Sequence, residues 1–159
     1  MNKRKLLDLF IELIQSDLNK LTQSARAAHE AAIHTESKAE DQYDTRGLEA
    51  SYLAGAQSKR IIELDESINV YTHLNIQSFT SDSPIASTAL IELKSNEKYF
   101  FYLLMPVGGG LKVEFENKIV HLITPQSPLG AALLGKKVGA QIELKIQNEF
   151  RDYDIVRVD

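Results

Sequence analysis

Helix-breaking residues are divided so unevenly along this chain that its two halves must fold by different rules. All four prolines (Pro84, Pro106, Pro125, Pro128) and six of the eight glycines follow residue 83, so almost nothing interrupts a helix before that point. Apolar or small residues recur there as Leu7, Ile11, Ile14, Leu18, Leu21, Ala25, Ala28 and Ala32. Steps alternating between four and three define a heptad seam, and hence a first long helix. Gly47, Ala50, Ala54, Gln57, Ile61, Leu64, Ile68 and Tyr71 form a second seam, with Gln57 its one polar member.

If the helices fold back on each other, Leu7 pairs with Tyr71, Ile11 with Ile68, Ile14 with Leu64, Leu18 with Ile61, Leu21 with Gln57 and Ala28 with Ala50. This places the turn near residue 39 and gives a rod of roughly 45 Å at a rise of about 1.5 Å per residue. Large Ile and Leu fill the seam at the base of the rod, whereas Ala25, Ala28, Ala32, Ala50 and Ala54 occupy the turn end. Small seam residues permit closer helix approach and a thin tip; alanine is equally a good helix former in its own right.

The helical period stops at NIQSFTSDSPIAS, a polar, turn-forming linker. The boundary is expected between residues 74 and 80, dividing the chain into a helical hairpin at 1–76 and a second domain at 77–159. ALIELKS, KYFFYLLMPV, LKVEFEN, IVHLITP, QIELKIQ and DYDIVRV are short, rich in β-branched and aromatic residues, and mostly bounded by Gly, Pro or Asn. They predict an antiparallel sheet. A short helix over 128–134, with Pro128 at its start and Gly135 at its end, would cover it. The expected class is α+β.

Without cysteine there is no disulfide framework, thiolate nucleophile or cysteine zinc site. No run approaches the ~20 apolar residues of a membrane span, and the N-terminal stretch becomes charged again before any small-residue cleavage site, so a cytoplasmic protein with no membrane partner is expected. A net charge of -4 argues against a protein whose main affinity comes from wrapping nucleic-acid phosphates. The histidines His29, His34, His73 and His121 form no ligand spacing, and the Gly108-Gly109-Gly110 run lacks the tail of a phosphate loop and reads as a flexible hairpin.

Residues 123–146, ITPQSPLGAALLGKKVGAQIELKI, closely resemble the Gre-factor signature (I/V)SPxSPLGxALLGKKVGDxVxV, and the closing DYDIVRVD resembles that family's final strand. On these residues the chain is identified as a divergent member of the GreA/GreB family of bacterial transcript-cleavage factors. The resemblance implies an FKBP-like second domain that docks on RNA polymerase, and a coiled coil that enters the polymerase's secondary channel. It assigns docking to Ser127, Pro128, Leu129, Gly130, Gly135, Lys136 and Lys137. Read from their types alone, several of these residues have structural work: Pro128 starts a helix, Gly135 ends it, and Gly139 turns the chain into a strand.

Chemistry is expected at the hairpin turn, HTESKAEDQYDTRGLEASY, where Glu36, Glu40, Asp41, Asp44 and Glu49 outnumber Lys38 and Arg46 by five to two. Hard divalent cations take carboxylate oxygens, and a carboxylate pair carried into a polymerase site could help hold its Mg²⁺. Cleavage-competent Gre factors carry an Asp-x-x-Glu-Asn tip. Here the nearest spacing is Asp41-Gln42-Tyr43-Asp44, followed by Thr45. The Asp in place of Glu withdraws the carboxylate by one methylene, and a displacement of about 1 Å can cost ~10²-fold in rate. Asp44 is equally suited to cap the second helix, and Glu36, Glu40 and Glu49 to a solvated face. Lys3, Arg4, Lys5, Lys20, Arg26, Lys59 and Arg60 could contact nascent RNA or simply be solvated.

The expected protein is therefore a monomeric polymerase-binding regulator with no intrinsic cofactor and no enzymatic activity of its own. It either stimulates cleavage through Asp41 and Asp44 or inhibits without cleavage. Two other classes stay in view: a peptidyl-prolyl isomerase, by fold analogy alone, and a coiled-coil adaptor for another partner.

Overall fold

The computed structural model describes residues 1–36, 46–146 and 149–159. In chain order the elements are α1 (Lys3–Glu36), α2 (Arg46–His73), β1 (Leu90–Ser95), β2 (Lys98–Leu104), β3 (Lys112–Phe115), β4 (Lys118–Ile123), α3 (Pro128–Leu133), β5 (Gln141–Ile146) and β6 (Glu149–Val158). They form two compact units, one of Ile11–Thr72 and the other of Met1–Phe10 with His73–Asp159. Among the described residues no helix is long and apolar enough to cross a membrane.

In the helical unit, burial follows the heptads. Between residues 18 and 30 only Leu18, Leu21, Thr22, Ala25 and Ala28 are shielded, and on α2 the shielded set includes Gln57, Ile61, Leu64, Ile68 and Tyr71. The helices run antiparallel: the Gln57 Nε2 donates to the Ser24 Oγ at 3.4 Å, while Leu18 and Ile61 line one groove. This matches the expected order of layers. The expected turn near residue 39 lies outside the described residues.

The sheet has six strands in the order β3-β4-β2-β1-β6-β5. Four neighbouring pairs are antiparallel, as alternation and turn signals predict, but β2 and β4 run parallel, with Tyr102 opposite His121 and Leu104 opposite Ile123. The sheet is therefore mixed rather than wholly antiparallel. The cause is the glycine-rich connection after β2. Instead of closing a hairpin between neighbours, it carries the chain past the position of β4 to the edge strand β3, with Gly108 and Gly110 at positive φ (76° and 91°). The chain then turns back through Glu116-Asn117, both at positive φ (51° and 58°), so that β4 enters beside β2 in its direction. Two-residue turns of this kind match the twist of antiparallel strands.

Register gives each face its role. Ile91, Leu93, Leu104, Ile142, Tyr153 and Ile155 form the core of one face, covered by Leu133 of α3, with Leu129 and Ala132 packed against it. The opposite face buries Phe101, Leu103, Val120 and Leu122. There the first turn of α1 approaches, since Lys3 and Leu7 share a small cavity with Ile76, Thr88, Leu103 and Met105. Leu6 and Phe10, which lie off the heptad seam, are fully buried, each such side chain contributing about 1.5–3 kcal/mol.

Gln57 is the weak point of the hairpin seam, because its Oε1 is buried without a hydrogen-bond partner among the described residues. An unsatisfied buried acceptor costs about 1–3 kcal/mol. We expect Gln57→Leu to stabilise the protein by ~1 kcal/mol or more, read as an upward shift of the thermal or urea midpoint; an unchanged or lower midpoint would mean that water already satisfies this oxygen.

Candidate docking surface

The segment after β4 is organised by one serine. The Ser127 Oγ accepts from the Gly130 N–H at 3.1 Å and donates to the Thr124 carbonyl at 2.7 Å, while the Ser127 N–H donates to the same carbonyl at 2.9 Å. Ser127 is thus the N-cap of α3 and Pro128 its first residue, where a missing N–H costs nothing. Gly130 lies against this turn. A Cβ there would collide with the Thr124 carbonyl oxygen and would stand 2.7 Å from its carbon and 2.9 Å from the Ser127 Oγ.

The helix ends as its sequence predicts. Gly135 takes a φ of 77°, a conformation natural to glycine after a helix. Its N–H donates to the Ile85 carbonyl at 2.8 Å, and the Ile85 N–H donates to the Lys136 carbonyl at 2.7 Å. This pairing ties the end of the signature to the stretch preceding β1. Gly139, at a φ of 84°, donates to the Ile155 carbonyl at 2.8 Å and brings the chain into β5.

These bonds sort the expected docking residues into two groups. Gly130 is buried and Ser127 and Leu129 are partly buried, whereas Pro128, Gly135, Lys136 and Lys137 are exposed. Leu134 joins the exposed group at 48%. Lys136 and Lys137 form no ion pair among the described residues. A carboxylate brought to this edge would find two cations beside an apolar side chain.

On the other side of Ser127 lies a cleft of about 600 Å³, lined chiefly by Tyr102, Gly109, Gly110, His121, Thr124 and Gln126. The Tyr102 and His121 rings lie 5.6 Å apart and tilted by 38°. Burial pushes the Tyr102 phenol above its ordinary pKa, with the nearby Tyr153 adding to the shift. Sequence reasoning placed neither residue in a site, because it did not anticipate the parallel register that brings them together.

The expected acidic tip is only partly visible. Glu36 ends α1 and Glu49 lies within α2, whereas Glu40, Asp41 and Asp44 lie outside the described residues. Lys3, read as a candidate RNA contact, is otherwise engaged: its Nζ donates to the Gln77 carbonyl and, at 3.2 Å, to that of Thr88.

Residues 111–159 match the family model described as transcription elongation factor, GreA/GreB, C-term. No curated protein matches the chain. Among solved structures, GreA factor homolog 1 (Gfh1) of Thermus thermophilus is 18% identical over 94% of this chain and 94% of its own, with a TM-score of 0.39. Thermus aquaticus Gfh1 is 20% identical over 92% of each chain, with a TM-score of 0.41. The prokaryotic transcription elongation factor GreA/GreB from Nitrosomonas europaea is 16% identical over 82% of this chain and 92% of that one, with a TM-score of 0.36.

We expect Gly130→Ala to be strongly destabilising, by about 2 kcal/mol or more, since the added methyl forces a backbone carbonyl to move. Ser127→Ala should cost ~1 kcal/mol, the usual price of a lost N-cap. Chemical denaturation would rank the two; equal stability of Gly130→Ala and the parent would show that this turn relaxes freely.

Proposed function

We propose that this chain, whose residues 111–159 match the GreA/GreB C-terminal family model, is a divergent member of that family of transcription elongation factors and binds a bacterial RNA polymerase. The observation that carries this reading is the Ser127-capped signature, whose internal bonds hold Pro128, Leu134, Lys136 and Lys137 at one exposed edge. An apolar side chain beside two unpaired cations suits a partner surface that offers carboxylates around an apolar contact.

The helical hairpin would then carry its acidic turn toward the polymerase's catalytic centre. Asp41 and Asp44 are the carboxylates we assign to assist the Mg²⁺ held there, whose chemistry would be activation of water against an RNA phosphodiester. The cleavage activity would be the polymerase's own, with this protein as its accessory. A second reading, inhibition without cleavage, is favoured by the tip sequence itself: Asp41-Gln42-Tyr43-Asp44-Thr45 lacks the longer glutamate and the asparagine of the cleavage motif. Arg26 and Lys59 would be available to nascent RNA, whereas Lys3, held by the Gln77 and Thr88 carbonyls, and Arg60, paired with Glu63 at 3.2 Å, would not.

The test is RNA cleavage in backtracked complexes of the matching polymerase, with and without the protein, beside a direct binding measurement. Stimulated cleavage that disappears in the Asp41→Ala, Asp44→Ala double variant would support metal assistance, and cleavage unchanged in that variant would eliminate it. Binding without cleavage would favour the inhibitor. Lys136→Glu with Lys137→Glu should weaken binding by ~10-fold or more, and absence of binding by the parent protein would refute the reading.

A further inference from the structure

We propose that the groove between α1 and α2 seats a second copy of this chain, docked antiparallel about a two-fold axis that passes between Asn19 and Ile62. The groove has a volume of about 720 Å³, with Leu18, Ile61 and Ile62 along it, Arg26 at one end and Asp65 and Glu66 at the other. Ile62 is 57% exposed, although the heptad seam of α2 is already satisfied by Ile61 and Leu64. Around it the remaining lining residues, Asn19, Thr22 and Gln23, are uncharged. The surface thus has an apolar, neutral centre and charges of opposite sign at its two ends.

Those end charges are left over after local pairing. Elsewhere on the hairpin Arg60 pairs with Glu63 at 3.2 Å and Lys20 with Asp17 at 3.7 Å. Arg26, Asp65 and Glu66 enter no ion pair among the described residues. Because the helices are antiparallel, Arg26 lies about two turns beyond Asn19 in one direction, and Glu66 about one turn beyond Ile62 in the other. A basic helix from another protein would satisfy Asp65 and Glu66 but face Arg26 with like charge, and an acidic one would do the reverse. A second copy turned by a two-fold axis meets both requirements, since an isologous contact sets residue i against j and j against i. It places Arg26 opposite Asp65 and Glu66 twice, around a pair of Ile62 side chains removed from water.

This inference goes beyond the proposed polymerase role and does not depend on it, and it departs from the monomer expected from the sequence. If that role holds, a paired hairpin is twice as thick as a single one, so self-association and entry into a narrow channel exclude each other. Concentration would then set the supply of active monomer.

The test uses the full chain without polymerase, so its outcome is independent of polymerase binding. Sedimentation velocity across the micromolar to millimolar range should show a monomer–dimer equilibrium weakened by salt. Arg26→Glu should weaken it by about tenfold or more through like-charge contact at both ends, and adding Asp65→Lys with Glu66→Lys should restore it. Helical circular dichroism checks that each variant is folded. As an independent test, the chain has no cysteine, so Ile62→Cys should form a disulfide-linked dimer under mild oxidation, whereas Arg60→Cys, on the opposite side of α2, should not. A parent chain that stays monomeric throughout, a dimer indifferent to Arg26→Glu, or equal cross-linking at positions 60 and 62 would overturn the proposal.

Discussion

Thr88 is the point on which the sheet-bearing unit closes. Its N–H donates to the Leu104 carbonyl at 2.7 Å, its carbonyl accepts from the Lys3 Nζ at 3.2 Å, and its Oγ1 accepts from the Gln77 N–H at 2.9 Å. Three stretches far apart in sequence therefore converge on one residue that is only 2% exposed. The residue occupies a φ of 72°, which for a β-branched side chain costs about 1–3 kcal/mol. That cost is sustained because every polar group of Thr88 has a partner; releasing any one would leave a buried group unsatisfied. Lys3 shares the constraint. Its ammonium lies 4.8 Å from the Phe79 ring centroid, and burial draws its pKa below the ordinary lysine value while Asp159 acts in the opposite sense.

The helical hairpin was legible because heptads report burial directly. A seam position and a shielded position are the same thing when two helices pack only on each other, and asparagine, read as a boundary of the strand segments, does stand at the positive-φ turns of the sheet, at Asn96 and Asn117. Leu6 and Phe10 escaped because a single period describes one buried face, and the first turns of α1 have two. The parallel β2–β4 pairing escaped for a different reason. Alternation fixes which face a side chain takes but not which strand lies beside it, and that choice was made by the glycine-rich connection over 105–111. Thr88 left no signal at all, since its left-handed backbone is imposed by partners at residues 3, 77 and 104.

The residues proposed for docking were half legible for a related reason. Local roles, the cap at Ser127 and the helix stop at Gly135, follow from residue type within one turn of chain, so the sequence predicts them. The crowding of Gly130 against Thr124 and the pairing of residues 135 and 136 with Ile85 are tertiary, and no spacing announces them. The cleft beside Ser127 is further removed still, because Tyr102 and His121 come from strands adjacent only through the crossover. The tip carboxylates are a matter of sequence alone.

A signature that both builds a fold and presents a surface poses a problem of attribution, and the bonding pattern resolves it. Gly130 and Leu133 act inward, so substitutions there would reduce binding by unfolding the edge whatever the partner. Lys136 is joined to the fold through its carbonyl, which any residue supplies, while its side chain and that of Lys137 are free of internal work. Changes confined to those two side chains should leave stability nearly untouched, as exposed substitutions generally do within about 0.5 kcal/mol. A loss of partner affinity at these positions can therefore be read as surface recognition, whereas the same loss at Gly130 cannot.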